Sequence, residues 1–479
     1  MADLDAIFKA YDIRGLVPSQ LDGPTAHAIG RSFAAELGGR ATVSAVLVGH
    51  DMRATSPGLA GAFAAGVRDE GVDVLLIGLA STDQLYFASG QLDLPGAVFT
   101  ASHNPAAYNG IKLCRAAAVA MSSQTGLDAI RERASALLAA GHADSGGGDV
   151  RQGGCEQRDV LDDYAAYLHR LVPVTGRRLK VAVDAGNGMA GHTVPRVFRA
   201  LDVELVPLYF ELDGSFPHHD ANPLEPANLR DLQVAVVESG SDVGLAFDAD
   251  ADRCFVVDER GQLVSPSALT ALIAVRTLAA EPGATIIHNL ITSRAVPEII
   301  TRFGGTPVRT RVGHSLIKAA MAEHGAAFGG EHSGHFYFRD FWYADSGMLA
   351  ALHLLAAMAE SDTTVSALVA DFTPYAASGE INAAVADTRR VLDEVAAEYG
   401  DRPGVRLDQL DGLTVSGRDW WLNVRPSNTE PVLRVNVEAG TESGMRGVRD
   451  EVLAVVQRSQ PLPDAPAVTG EDVDQGGRT

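Results

Sequence analysis

Cysteine is scarce in this chain of 479 residues: Cys114, Cys155 and Cys254 are an odd set without a CxxC pair. That count excludes a disulfide framework and a thiolate zinc site, and leads us to expect a reducing, cytoplasmic setting. Cations are short as well, with 39 Lys and Arg against 61 Asp and Glu and a net charge of −22. Nucleic acid and anionic membrane both want a basic face, so neither is expected as a partner. An anionic small substrate stays open, because remote charge is screened over roughly 8 Å and a pocket can carry its own cations. Long apolar runs are missing too. The window Ala268 to Ala280 is broken by Arg276 and falls short of the roughly 20 residues that span a bilayer. The opening MADLDAIFKAYDIRG places Asp3, Asp5 and Asp12 where an export signal would need a basic start, so export is not expected.

What is present is a globular composition, 46% hydrophobic and 21% charged with 49 glycines, on a chain too long for one core. Short β-branched runs recur, each closed by glycine or polar residues and followed by a helical pattern: VSAVLVGHD, VDVLLIGLA, LPGAVFTASHN, LKVAVDAGNG, DVGLAFDADAD, ATIIHNLITS and TPVRTRVGH. The alternation predicts α/β units whose polar residues lie past the carboxyl ends of strands, where such sheets hold ligands. The glycine-dense stretch from Gly141 to Cys155 reads as a linker, and a new strand is expected near Leu179. After about Phe372 the pattern changes, and WWLNVRPSNTEPVLRVNVEAG reads as two antiparallel strands joined by a turn. The expected units are therefore 1–150, 151–262, 263–372 and 373–460, with 461–479 as a disordered tail rich in Pro, Gly and Asp.

Four short stretches carry chemistry. In TASHNPAAYNGIK, Ser102 could be a plain helix cap, but His103 beside it and Lys112 beyond the Asn109-Gly110 turn suit a hydroxyl that carries a phosphoryl group. FDADADR spaces Asp248, Asp250 and Asp252 so that an extended backbone would set the outer α-carbons about 13 Å apart. The segment must curl to share one ion, and hard oxygen ligands suit Mg²⁺. An EF-hand reading fails because Arg253 sits where that loop needs glycine and the flanks read as strands. In GGEHSGHFYF, Glu331 and Ser333 could bond sugar hydroxyls and His335 could take a proton near neutral pH; a zinc reading of HSGH lacks a third ligand. RPSNTEP sets Arg425, Ser427, Asn428 and Thr429 in a turn that is either an ordinary Ser/Asn turn or a grip for a phosphate dianion. YDIRG adds Tyr11 and Arg14.

Together and in this order, these stretches resemble the phosphoserine, magnesium, sugar-binding and phosphate-binding loops of the α-D-phosphohexomutase superfamily, most closely its bacterial phosphomannomutase/phosphoglucomutase branch. The likeness covers nearly the whole chain. It implies three related α/β domains with mixed sheets and a C-terminal antiparallel α+β domain around one cleft. It implies that Ser102 is phosphorylated and, with Asp248, Asp250 and Asp252, holds Mg²⁺. His103, Lys112, Arg253 and His335 would serve transfer, and Tyr11, Arg14, Gly313, His314, Glu331, Ser333, Arg425, Ser427, Asn428 and Thr429 would bind substrate. FKAYDIRG and AAYNGIK look like mannose/glucose mutases, whereas phosphoglucosamine mutases usually show FGTDGxRG and an Asp in place of Tyr108. Two positions depart from the pattern: Asp83 stands where relatives often carry proline, and Leu290 close to where some carry a cleft lysine, with Arg294 nearby.

The implied activity interconverts mannose 6-phosphate and mannose 1-phosphate, or the glucose phosphates, through a hexose 1,6-bisphosphate intermediate that also serves as activator. Phosphoglucosamine mutase, phosphoglucomutase and a non-catalytic sugar-phosphate binder are the alternatives. A serine phosphatase would need further metals with His ligands, which the spacing does not offer.

Overall fold

The computed structural model describes residues 3–140, 151–385, 387–427 and 432–458. Asn428, Thr429 and the proposed tail lie outside the described residues, as does most of the glycine-dense linker.

Four sheets follow one another along the chain. The first has Ile13–Leu16, Tyr108–Cys114, Gly96–Phe99, Ala45–His50, Asp73–Leu79 and Cys155–Gln157 in that spatial order. Its last strand pairs parallel to Asp73–Leu79 beyond residue 150, so the first sheet is completed by residues past the glycine-dense stretch. The second runs Leu263–Val264, Cys254–Asp258, Val243–Phe247, Leu179–Asp184 and Val203–Leu208. The third runs Thr306–Thr310, Thr285–Asn289, Phe328–Gly330, Phe336–Phe338 and Ala344–Asp345. These three mix parallel and antiparallel pairs, as in βαβ units with a hairpin added at one edge. The fourth, Ala376–Ala384, Val432–Ala439, Trp420–Pro426, Leu413–Ser416 and Arg406–Asp408, is wholly antiparallel.

Local sequence explains the joints. Ser81 and Gln84 form a reciprocal cap at the start of helix Thr82–Leu92, fixing where that helix begins. Helix Gly347–Ala359, GMLAALHLLAAMA, is apolar but for His353 and accordingly buried along nearly all its length, with Ser346 as its cap. Helices Gly23–Glu36 and Ser56–Asp69 touch through glycines: a Cβ on Gly30 would lie 2.2 Å from the Phe63 carbonyl oxygen, and one on Gly66 2.1 Å from that of His27.

One apolar cluster draws residues from all of the first three units, from Leu47 to Val369, while the first unit keeps a second cluster of its own from Leu4 to Ala134. Where they meet, Tyr167 stacks on Trp342 at 5.2 Å, Phe87 packs edge-on to Tyr164, and Gly90 leaves room for the Trp342 ring. The C-terminal unit has its own cluster, which among the described residues starts no earlier than Ala376. Its seam with the rest is largely polar, with Tyr375 packed against the shared cluster: Arg309 pairs with Asp408, the Val312 amide bonds Asp411 at 3.0 Å, and the Arg294 amide bonds Glu438 at 3.1 Å. Among the described residues, no helix is long and apolar enough to cross a membrane.

Candidate active site

Past the strand Gly96–Phe99 the chain turns sharply and presents Ser102 with φ of 48°. For a serine this left-handed conformation is strained, and it persists only where the surroundings impose it. Here they do. The Ser102 amide bonds Thr100 Oγ1 at 3.0 Å, while the buried Arg53 guanidinium donates to four carbonyls of the loop: Ser102 and Asn104 at 2.7 Å, Pro105 at 2.9 Å and Tyr108 at 3.0 Å. Arg53 is paired with Asp51 at 3.3 Å and lies 5.0 Å from the Phe216 ring. Arg14 grips the same loop from the other side, donating to Asn104 Oδ1 at 2.5 Å and bonding Asp12 at 2.7 Å.

The aspartate segment follows the strand Val243–Phe247 and curls as the spacing requires, with Ala251 at φ 60°. Asp248, Asp250 and Asp252 are all fully buried, and one oxygen from each lies within 4.8 Å of the others. Ser102 Oγ donates to Asp248 Oδ2 at 2.8 Å, joining the two loops. Arg253 Nε holds the same Asp248 oxygen at 2.9 Å. Lys112 Nζ bridges Asp250 Oδ2 at 2.7 Å and Asp252 Oδ2 at 2.5 Å, and Thr82 Oγ1 donates to Asp250 Oδ2 at 2.7 Å. The remaining oxygens, Asp250 Oδ1 and Asp252 Oδ1, are buried without a hydrogen bond. Orphaned carboxylate oxygens at this depth are costly unless a cation meets them, so the donor set fits a hard divalent ion such as Mg²⁺.

Charge in this cluster is divided unevenly. Burial pushes the Asp248 and Asp252 carboxyls up, Asp252 strongly so. Burial also opposes ionisation of Asp250, but Lys112 and the Thr82 hydroxyl outweigh it and hold that carboxyl below its usual range. Burial likewise opposes the Lys112 ammonium, and the carboxylates of Asp250 and Asp252 overcome it. His103 sits 3.2 Å from Ser102 Oγ through Nδ1, which also accepts from Arg253. Burial and that guanidinium drive its pKa well down, so the ring is neutral.

The loop from Glu331 lies against this centre through a bridge between Arg253 and His335. His335 Nε2 is 3.6 Å from Asp252 Oδ1, and its Nδ1 is 3.0 Å from Ser333 Oγ. Glu331, buried and pushed up in pKa by that burial, is held by Tyr337 at 2.7 Å and Asn289 at 3.3 Å; the Gly313 backbone also bonds it. Burial raises the Tyr11 hydroxyl's pKa, and the charges of Asp12, Arg14, Glu331 and Arg434 reach it as well. In that unit Glu380 bridges Arg425 at 2.9 Å and Arg434 at 3.1 Å, and His332 senses both Glu380 and Arg425. The Ser427 amide bonds the Val432 carbonyl at 2.9 Å across the turn. His314 opens helix His314–His324, and its side chain lies outside the described residues, as do Asn428 and Thr429.

The structure thus gathers Ser102, His103, Lys112, Arg253, His335 and the aspartate trio at one centre, with Arg14, Tyr11, Glu331 and Ser333 beside it, and Arg425 and Ser427 on the facing unit. Arg294 turns away from it, bonding Glu298 at 3.2 Å and lying over the Tyr375 ring, while Leu290 is buried. Sequence reasoning missed Arg53 and Asp51, Thr82, Asp345, and the pair Glu380 and Arg434. The signal for Arg53 was available, since HDMR follows an apolar strand as the other site loops do. Asp345 lies within 4.8 Å of Asp252 and His335 and takes Lys318 at 2.9 Å.

Comparison with known proteins finds likeness over most of the chain. Models of the phosphoglucomutase/phosphomannomutase α/β/α domains I, II and III match residues 5–139, 162–261 and 265–375, and the model of the C-terminal domain matches 380–455. A phosphomannomutase of Escherichia coli K12 is 38% identical over 454 residues, covering 93% of this chain and 97% of that protein. A Xanthomonas campestris protein named for phosphohexose mutases is 39% identical over 457 residues, covering 94% and 99%. Among solved structures, a phosphoglucomutase/phosphomannomutase family protein of Burkholderia thailandensis superposes with a TM-score of 0.86 at 33% identity, covering 98% of this chain and all of that one. An N-acetylphosphoglucosamine mutase of Aspergillus fumigatus, solved with GlcNAc-6P and magnesium, shares the fold at 13% identity with a TM-score of 0.59, covering 94% and 96%.

Proposed function

Since the chain belongs to the phosphoglucomutase/phosphomannomutase family, we propose that it is a phosphomannomutase that interconverts mannose 6-phosphate and mannose 1-phosphate and also accepts the glucose phosphates. The observation that carries this reading is the 2.8 Å bond from Ser102 Oγ to Asp248, beside the orphaned oxygens of Asp250 and Asp252. A binding protein that only held sugar phosphate would have no use for a strained serine pressed against buried carboxylates.

Ser102 carries the phosphoryl group, about −2 in charge at neutral pH, against the aspartate trio. Bound there by Asp248, Asp250 and Asp252, Mg²⁺ supplies charge neutralisation for the moving group. Arg253 and Lys112 hold the trio's outer oxygens, so the carboxylates need not reorganise during transfer. The free sugar hydroxyl attacks phosphorus as the P–O bond to Ser102 breaks. His335 takes the hydroxyl proton, and the Ser102 oxygen leaves stabilised by Arg253. The hexose 1,6-bisphosphate then turns end for end, Ser102 Oγ attacks its other phosphate as that P–O bond to the sugar breaks, and His335 gives its proton back to the departing sugar oxygen. Arg425 and Ser427, with Asn428 and Thr429, grip whichever phosphate is distal, and Glu331 and Ser333 hold sugar hydroxyls. Cys114, Cys155 and Cys254 are free thiols, in keeping with a cytoplasmic enzyme.

Ser102→Ala should lower kcat at least about 10³-fold with mannose 1-phosphate, Mg²⁺ and a trace of bisphosphate, while unfolding as the parent does. Activity near that of the parent would overturn the assignment. Chelation of divalent ions should abolish turnover reversibly, and kcat/KM for mannose, glucose and glucosamine 1-phosphates should rank glucosamine last.

A further inference from the structure

The carboxylate of Asp83 is fully enclosed, 1% exposed, and takes no part in the transfer chemistry above. Three hydroxyls donate to it, one from each of the first three units: Ser81 Oγ at 2.5 Å, Tyr164 at 2.6 Å and Ser346 Oγ at 2.7 Å. No cation pairs with it among the described residues. Burying a carboxylate without a counter-charge costs more than three hydroxyl bonds usually return, so stability alone is a poor reason for its presence.

Its neighbours supply a better one. Thr82, the next residue back, fastens the aspartate loop twice: Oγ1 to Asp250 Oδ2 at 2.7 Å, and its amide to the Asp250 carbonyl at 3.0 Å. Ser346, the donor from the third unit, follows Asp345, whose carboxylate lies within 4.8 Å of Asp252 and His335. Ser81 caps the helix on which Thr82 sits. One carboxylate therefore ties together the backbone points from which Asp250 and Asp252 are addressed.

We propose that Asp83 is a positioning residue for the divalent ion: by locking Ser81, Tyr164 and Ser346 together it sets the separation of Asp250 and Asp252 and so the affinity of the aspartate trio. The inference rests on the trio being the ion site. Groups that orient metal ligands from behind typically set affinity by 10–100-fold, and Asp83 acts through one further residue, so an effect of about 10-fold is expected.

The test is a calorimetric Mg²⁺ titration of the full chain, with the Mg²⁺ dependence of turnover alongside. Asp83→Asn keeps the shape but offers one acceptor oxygen to donors that now use two. It should weaken Mg²⁺ about 10-fold, leaving kcat and the sugar-phosphate KM at saturating Mg²⁺ within about two-fold of the parent. Tyr164→Phe and Ser346→Ala, which each remove one donor, should shift Mg²⁺ affinity the same way by less, and they decide the matter if the Asn variant does not fold. Equal Mg²⁺ affinity in parent and folded variants would overturn the role of Asp83, whereas a parent that binds no Mg²⁺ would overturn the ion site itself.

Discussion

At the scale of single residues, the site is a serine held in a strained turn by the guanidinium groups of Arg53 and Arg14. Arg53 holds four carbonyls of that turn through the two terminal nitrogens of its fork, a geometry lysine cannot reproduce. Arg53→Lys should therefore lower kcat about 10²-fold through misplacement of Ser102, with KM nearly unchanged. Steady-state kinetics would check it, and an unchanged kcat would show that the turn holds itself. Asp83 bears on stability as well as on the ion. Burial raises its carboxyl from 3.8 to about 6, so the native state holds its proton more tightly than the unfolded chain does. The resulting stabilisation is whole below pH 3.8 and is lost as pH rises through about 6. Asp83→Asn, which cannot ionise, should flatten that fall, seen as denaturation midpoints that vary less than the parent's between those pH values. Ser102, Asp248, Asp250 and Asp252 were legible because each motif lies within a few consecutive letters. Thr82 and Asp345 were not, because Asp250 and Asp252, which they meet, lie far away along the chain and only the fold brings them near; Arg53 left only the HDMR stretch as a signal, its loop partners being 49 to 55 residues away.

At the scale of elements, packing is tight where glycines let helices touch. Gly66→Ala would set a methyl group 2.1 Å from the His27 carbonyl oxygen, and the helices Gly23–Glu36 and Ser56–Asp69 would have to part. The expected cost is about 1–3 kcal/mol, read from chemical denaturation, with kcat/KM little altered. The alternation of β-branched runs with helical stretches marked most strands, and the distance argument for DADADR required the turn that Ala251 makes. Other elements leave no trace in the letters. Strand Cys155–Gln157 is exposed along its length, so no hydrophobic pattern announces it. Helix Gly347–Ala359 is buried except at His353, and one polar residue makes no face to give a period.

At the scale of the whole molecule, one apolar cluster joins the first three units, the first unit adds a cluster of its own, and the fourth keeps apart from both. Cooperativity should follow that division: denaturation ought to proceed in two steps, the C-terminal unit yielding separately, as tryptophan fluorescence of Trp420 and Trp421 against circular dichroism would reveal. A single coincident transition would mean that the polar seam couples the two bodies as firmly as a core does. The sequence announced the antiparallel fourth unit through its alternating strands, but not how loosely it is joined, because seam partners such as Arg309 and Asp408 look like any surface charges until the fold pairs them.

That seam has a consequence for design. A piece fastened by a few ion pairs and amide bonds, rather than by interlocked side chains, can be exchanged for the corresponding piece of a cousin without recutting a buried surface. Chimeras made at this junction would let the proposed grip on the distal phosphate be bred apart from the proposed phosphoryl-transfer machinery.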